Sequence, residues 1–265
     1  MTVGFYPGCS LKGTSFEYAQ STLALAKAFD IDFQEIVDWN CCGATAAHNI
    51  SRELATALPA RILALAEAQG LTEIVVPCAA CYNRLSVTQN ELNGNIRILN
   101  VMQFIEKYIA NKIEEKTVNP FNRKVVCYYG CLLIRPHNIL QFDRLEDPQS
   151  MDNLMRKIGA TSLDWGFKTE CCGAGFSVSR TDIVAKLSGK IVQDAEARGA
   201  EAIIVACPMC QSNLDMRRPH IDRYLQKKTE IPVLYITQAI GLAVGLEKRE
   251  LGIDKLFVTI KICQK

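Results

Sequence analysis

Charge of one sign is scarce in this sequence: 30 Lys and Arg stand against 28 Asp and Glu, a net charge of +2. Such a surface offers no field for a polyanion, which argues against nucleic acid as a partner. Long apolar runs are missing as well. A membrane span needs roughly 18 uninterrupted apolar residues, and the stretch from Tyr235 to Leu246 is shorter and holds Gln238. Met1 to Pro7 carries no basic region of the kind that opens a secretion signal. There is no phosphate-binding glycine loop, no flavin fingerprint and no Ser-His-Asp order, so electrons used here arrive from elsewhere.

What the chain has is sulfur: 12 cysteines in 265 residues. With 49% hydrophobic and 22% charged residues, the composition is that of a globular protein with a proper core. The length suits two modest domains. In a cytoplasmic chain this many thiols point to metal or redox chemistry rather than to disulfides.

The cysteines repeat. The first half has Tyr6-Pro-Gly-Cys9, then Cys41-Cys42-Gly43, then Cys78-Ala-Ala-Cys81; the second has Tyr128-Tyr-Gly-Cys131, Cys171-Cys172-Gly173 and Cys207-Pro-Met-Cys210. The lone cysteine precedes the pair by 32 and 40 positions, and the pair precedes the Cys-x-x-Cys by 36 and 35. Ten cysteines, five per half, are used by this pattern. Cys127 is read as a small core residue of a strand, and Cys263 as a surface or edge cysteine.

The surrounding periodicity repeats too. Val3 to Tyr6 and Val125 to Tyr128 read as buried strands that end at the lone cysteine. Helical spacing follows over Phe16 to Phe29 and Asp152 to Ile158, then β-like runs over Phe33 to Trp39 and Ser162 to Trp165. Each pair is followed by an amphipathic helix, Ser51 to Ala68 and Thr181 to Arg198, the first expected to kink or split at Pro59. Ile74 to Val76 and Ile203 to Val205 deliver strands onto the Cys-x-x-Cys motifs. A strand and a helix close each half: Ile96 to Leu99 with Val101 to Ala110, and Val233 to Ile236 with Thr237 to Leu246. The expected fold is α/β, two pseudo-symmetric repeats, each a small mainly parallel sheet flanked by helices. The cysteine loops then lie at the carboxyl ends of strands, where open α/β sheets bind ligands. The boundary is placed in Glu115 to Arg123, giving repeats 1–118 and 119–265, the latter with a tail. In that tail Leu256 to Ile260 reads as a late strand or a docking segment.

Thiolates with no histidine or carboxylate in the pattern select zinc or iron–sulfur. A zinc site takes four ligands, and five cysteines per half, two of them adjacent, suit a cluster with more than one iron environment better. The cysteine run of bacterial ferredoxins is absent, which argues against an ordinary cubane. Each Cys-x-x-Cys is expected at a helix start, with Pro208 in the first turn. Gly43, Gly173 and Gly175 leave the backbone free to approach a cluster and to donate N–H to sulfur.

The doubled pattern resembles the CCG-domain family, and in detail the B subunits of heterodisulfide reductases. The similar stretches are Tyr6-Pro-Gly-Cys9-Ser-Leu, Asp38-Trp39-Asn40-Cys41-Cys42-Gly43, Pro77-Cys78-Ala-Ala-Cys81 and Cys127-Tyr-Tyr-Gly-Cys131-Leu-Leu-Ile-Arg135-Pro136. The resemblance covers essentially the whole chain, including the tail around Gly252 to Phe257. The bare Cys-Cys-Gly is shared with glycolate, lactate and glycerol-phosphate dehydrogenase subunits and with some succinate or fumarate reductase subunits.

The resemblance implies two noncubane [4Fe-4S] clusters, one on Cys9, Cys41, Cys42, Cys78 and Cys81, the other on Cys131, Cys171, Cys172, Cys207 and Cys210. It implies cleavage of a disulfide, CoB-CoM heterodisulfide or a related one, between clusters that each supply one electron and bind one sulfur. Both clusters are then expected to face one cleft between the halves. Implied partners are a ferredoxin-like [4Fe-4S] subunit, similar to the C subunits of heterodisulfide reductases, and a flavoprotein similar to their A subunits. Small-molecule disulfides or thiols are the implied substrates. The implied location is cytoplasmic, with any peripheral membrane contact made through partners. Two alternatives stand beside this: an electron-relay subunit of a quinone-linked dehydrogenase or succinate/fumarate reductase, and a chain with one [4Fe-4S] cluster plus one Zn.

Substrate signals are weaker. Arg135, four residues past Cys131, is the first choice for binding an anionic group; Lys168, Arg180, Arg217, Arg218 and His220 follow, against a solvated-surface alternative. His48 is read as a substrate-binding proton donor or a helix-start residue, and His137 is open between the same readings. Glu53, Glu67, Asp182 and Glu196 read as exposed helix faces without a catalytic role.

Overall fold

The computed structural model describes residues 2–45 and 47–260. Two four-stranded sheets, every neighbour parallel, carry the two halves. β1 (Thr2–Phe5), β2 (Asp32–Glu35), β3 (Glu73–Val75) and β4 (Arg97–Leu99) lie in the order 2-1-3-4. β5 (Lys124–Tyr128), β6 (Thr161–Ser162), β7 (Ala202–Val205) and β8 (Val233–Tyr235) repeat it as 6-5-7-8. The register is Gly4 on Ile74 in one sheet and Val125 on Ala202 in the other. In each sheet the chain leaves the first strand toward one edge and returns on its other side. That reversal puts the switch point of each sheet beyond the carboxyl ends of β1 and β3, and of β5 and β7, the place where α/β sheets receive ligands.

The helices are α1 (Gly8–Lys12), α2 (Phe16–Ala28), α3 (Ala47–Ile50), α4 (Arg52–Ala68), α5 (Ala79–Leu92), α6 (Val101–Tyr108), α7 (Ile113–Lys116), α8 (Ser150–Lys157), α9 (Thr181–Ala197), α10 (Pro208–Gln211), α11 (Arg218–Leu225) and α12 (Ile236–Ala243). One continuous apolar core runs through both sheets. Across the join, Tyr18 on α2 stacks flat on Tyr235 at the end of β8, with ring centroids 3.9 Å apart. Ser21 and Thr237 share a buried hydroxyl contact of 2.7 Å beside them. No helix among the described residues is long and apolar enough to cross a membrane.

Three local expectations are corrected. The β-like run to Trp39 stops at Glu35, because β1 turns into α1 and Ile36 N–H makes the last ladder bond, to Phe5 O at 3.0 Å. In the second half only Thr161–Ser162 is strand; Trp165 donates its indole N–H to Cys127 O at 3.0 Å in place of a ladder bond. Pro59 does not split α4, which is continuous from Arg52 to Ala68 and is capped by Ser51 accepting from Leu54 N–H at 3.3 Å. The ring is buried, so apolar contact offsets the lost backbone bond. Leu256 to Ile260 form no late strand. They dock, with the N–H groups of Phe257 and Val258 donated to the Asp215 carboxylate at 2.9 and 3.3 Å.

Candidate metal centre

Each lone cysteine follows the central strand of its sheet, each pair follows the edge strand, and each Cys-x-x-Cys caps a helix beyond the third strand. Cys78 and Cys207 are the N-cap residues of α5 and α10, and Pro208 occupies the first turn, where its missing N–H costs nothing. The loops are held by the same device twice. Tyr6 donates its hydroxyl to Asn40 O at 2.8 Å, and Tyr128 to Glu170 O at 2.6 Å, each acceptor immediately preceding the cysteine pair. Burial, reinforced by the neighbouring cysteines, pushes both phenols up, so both stay protonated donors.

The sulfurs approach one another at these loops. Cys9 and Cys41 Sγ are 4.0 Å apart, Cys42 and Cys81 3.0 Å, and Cys172 and Cys210 3.7 Å. All of these cysteines are free thiols, with Cys78 beside Cys81, Cys131 beside Cys171 and Cys207 beside Cys210. The acidity divides accordingly. Cys42 is lowered to about 4 by the thiols of Cys41 and Cys81, and Cys171 to about 6 by Cys131, with help from the Gly173 and Ala174 N–H groups. Cys41, Cys81, Cys131 and Cys210 are pushed up, first of all because they are the proton-donating partners. Gly43 and Gly173 donate N–H to Cys41 and Cys171 Sγ at 3.4 and 3.3 Å, as their place in the sequence suggested. Gly175 lies in open space and makes no close approach.

Two glycines that sequence reasoning passed over matter as much. Gly8 and Gly130 have φ of +64° and +68°, and a Cβ on them would stand 3.1 and 3.0 Å from the sulfurs of Cys81 and Cys210. The lone-cysteine loop can therefore lie against the Cys-x-x-Cys only with glycine there. All-thiol donors, N–H groups aimed at sulfur and this bare cradle fit an iron–sulfur group, whose sulfurs accept such bonds. Among the described residues, no group of three or more His, Cys, Asp or Glu side chains is gathered as a single-ion site.

The two centres meet across the join. The Tyr18 hydroxyl lies 3.4 Å from Pro77 O and 3.2 Å from Ala206 O, the residues just before Cys78 and Cys207. Asn83 on α5 donates to Leu132 O at 3.3 Å and also to Arg135 O, in the turn after Cys131. α1 packs on α10 in the reciprocal sense.

The other candidates are dispersed. Arg135 keeps an exposed guanidinium, 47% accessible, in a long pair with Glu146 at 3.5 Å. His137 is exposed; His48 is on α3, and its side chain lies outside the described atoms. Arg180 pairs with Asp182 at the surface. Arg217 donates to Ser177 O at 2.8 Å, while Arg218 is buried and bonds Leu214 O and Thr229. His220 Nδ1 is buried without a hydrogen-bond partner. Cys127 is buried as expected, 3.7 Å from Ser162 Oγ; Cys263 lies outside the described residues.

Lys168 is corrected from anion receiver to structural ion. It is 2% exposed and reaches Asp147 at 2.8 Å, Asp152 at 3.5 Å and Pro148 O at 3.0 Å. Its carbonyl takes the N–H groups of Tyr129 and Gly130 at 2.9 and 3.0 Å, so it carries the Cys131 loop. Lys168→Met leaves the buried Asp152 unpaired and is expected to lower the unfolding free energy by about 3–5 kcal/mol, read from the denaturant midpoint. A loss within about 0.5 kcal/mol, the range of ordinary surface changes, would contradict that role.

Comparison with known proteins agrees with this geometry. A family model for the cysteine-rich CCG domain matches residues 3–86 and again 125–215. The chain is 28% identical over 270 residues to the membrane anchor subunit of the 8-methylmenaquinol:fumarate reductase of Wolinella succinogenes, covering 94% of each. It is 26% identical over 280 residues to the B subunit of the ferredoxin/F(420)H(2)-dependent CoB-CoM heterodisulfide reductase of Methanosarcina acetivorans, covering 96% of this chain and 92% of that one. The fold is shared with the crystal structure of a hypothetical protein from Helicobacter pylori, with a TM-score of 0.81 at 13% identity, over 98% of this chain and 52% of that one. This chain thus spans about half the length of that Helicobacter protein.

Proposed function

Because this chain belongs to the cysteine-rich CCG domain family, with the domain present twice, we propose that it is the catalytic iron–sulfur subunit of a heterodisulfide-type reductase. Repeats 1–118 and 119–265 each hold one noncubane [4Fe-4S] cluster, on the five-cysteine sets given above. When bound, such groups supply one-electron transfer and iron that takes thiolate sulfur. The chain's own part is spacing and shielding. Tyr18 keys the two Cys-x-x-Cys helix starts to each other, which sets the gap that a disulfide has to span. Tyr6 and Tyr128 hold the pair loops, and buried Cys42, Cys78, Cys81, Cys172, Cys207 and Cys210 keep water from the inner faces. The observation that carries the reading is this juxtaposition of two five-cysteine sets across one join.

Arg135 receives an anionic group of the substrate by exchanging its long, exposed pair with Glu146, and His48 contributes a proton from α3. Electrons come from a ferredoxin-like partner with a flavoprotein behind it, in the cytoplasm.

A second reading is favoured by the full-length similarity to the membrane anchor of a fumarate reductase. It makes the chain a relay between a quinol and a dehydrogenase, attached to the membrane through surface side chains. Ile50 and Val178, 77% and 95% exposed, stand shortly after the two cysteine pairs and suit such contact.

Iron, sulfide and zinc content with EPR on anaerobically purified protein tests the proposal. About eight irons per chain without zinc, with signals shifted by a thiol or disulfide, is the expected result. About four irons with one zinc would overturn the paired-cluster chemistry. Signals that ignore thiols but respond to a quinol in vesicles would favour the relay.

A further inference from the structure

The two cysteine sites are not built alike, and the difference lies in one buried amide. After Cys81 the helix runs on regularly to Leu92. After Cys210, α10 gives way to a π-helical turn, Ser212–Met216. Such a wide turn re-aims the side chains that it carries and recurs at functional sites. Here it carries Asn213, which is 0% exposed. Asn213 Nδ2 donates to Cys172 O at 3.2 Å and lies 3.6 Å from Cys172 Sγ. A carbonyl only accepts, so the nitrogen end of the amide faces Cys172 and its second N–H meets the sulfur. Ser177 Oγ holds the other end, 2.9 Å from Asn213 Oδ1, and Arg217 fixes Ser177 through its carbonyl. At the same offsets from its own cysteines the first half has Arg84, Ala47 and Thr88. A methyl group at Ala47 cannot steady an amide, so the first half does not repeat the arrangement.

Resting on the proposed function, we infer that Asn213 makes the two sites electronically unequal, raising the reduction potential of the iron–sulfur group in the second half above that in the first. A hydrogen bond to a cysteine sulfur withdraws negative charge from it, and so favours the reduced, more negative state of the group that the sulfur binds. Electrons supplied to the pair settle first in the second half.

Anaerobic redox titration of the loaded protein, followed by EPR, tests this. The parent should show two resolved reductive transitions. In Asn213→Leu, close in size and without a donor, the upper transition should move down toward the lower one. The lower should stay in place at unchanged iron content. The transition that moves must be the one lost in Cys210→Ala. Ser177→Ala removes the hydroxyl shared between Asn213 Oδ1 and Ala174 O and leaves the Asn213 amide in place; it should move the same transition by less, and it keeps the test open if the leucine variant does not fold. Coincident transitions in the parent, a shift of both, or no shift in either variant would overturn the inference while leaving the proposed function standing. A parent that binds no pair of clusters would remove both.

Discussion

Alanine at Cys81 should abolish disulfide turnover as completely as alanine at Cys210, and the double variant should be no worse than either. Each single change removes one sulfur from one set, while the five cysteines of the other half are untouched. If the halves worked independently, each variant would keep about half the activity. Splitting a disulfide takes two electrons, and in the proposed mechanism each site deals in one, so a half-intact protein would have no partial reaction to perform. Residues that act as a unit lose their whole effect together. Turnover should therefore fall by about a thousand-fold or more in each single variant, with no further fall in the double. Iron analysis belongs beside the kinetics: each single variant should keep about half of the parent's iron, the amount one [4Fe-4S] group carries. A single variant that retains a sizeable fraction of turnover, or losses that multiply in the double, would defeat the paired mechanism.

Tyr18→Ala should cost as much stability as removing the buried Lys168 ion. The ring is fully buried, stacked at 3.9 Å and 3° on Tyr235 of the other half, and its hydroxyl stands between Pro77 O and Ala206 O. Emptying such a site costs about 3–5 kcal/mol. Tyr18→Phe keeps the stack and loses only the hydroxyl, at about 1–2 kcal/mol. Burial, with the cysteines at Cys207, Cys78 and Cys210 behind it, pushes the phenol well up, so the donor is lost by mutation rather than by alkaline pH in the ordinary range. Denaturant midpoints of the two variants separate the contributions. An alanine variant within about 0.5 kcal/mol of the parent would mean that the halves are not keyed at this stack.

Much of this was open to view in the sequence because it is local or repeated. The ten cysteines announced themselves by spacing, the strands by short apolar runs ending at each motif, and the helix start at Cys207 by Pro208. The strand ends were not legible. Whether Val37 or Leu163 belongs to a ladder depends on where the neighbouring strand turns away, which no single run of residues records. Lys168 looked like a surface cation because a charge in sequence carries no sign of Asp147 and Asp152 folding back onto it. Tyr6 and Tyr128 stood inside the motif all along, but their role is a hydroxyl bond across 34 and 42 positions. Gly8 and Gly130 were equally visible, and equally mute, since their meaning is a sulfur from another loop. Asn213 has no periodic signal; setting the two halves against each other at equal offsets would have marked it.

The reciprocal grip of the halves has a consequence for ancestry. α5 of one half holds the turn after Cys131 through Asn83, and α10 of the other packs on the turn after Cys9. That is the pattern of an isologous twofold dimer, in which patch meets partner patch in both directions. A single-repeat forebear with this architecture works only as two copies, at a concentration that keeps them together. Joining the copies through residues 109–123 replaces that dependence with a tether, so assembly no longer dilutes away. It also frees the copies to diverge. In a true homodimer every substitution appears twice, and a one-sided amide beside one sulfur cannot arise; in a fused pair it can.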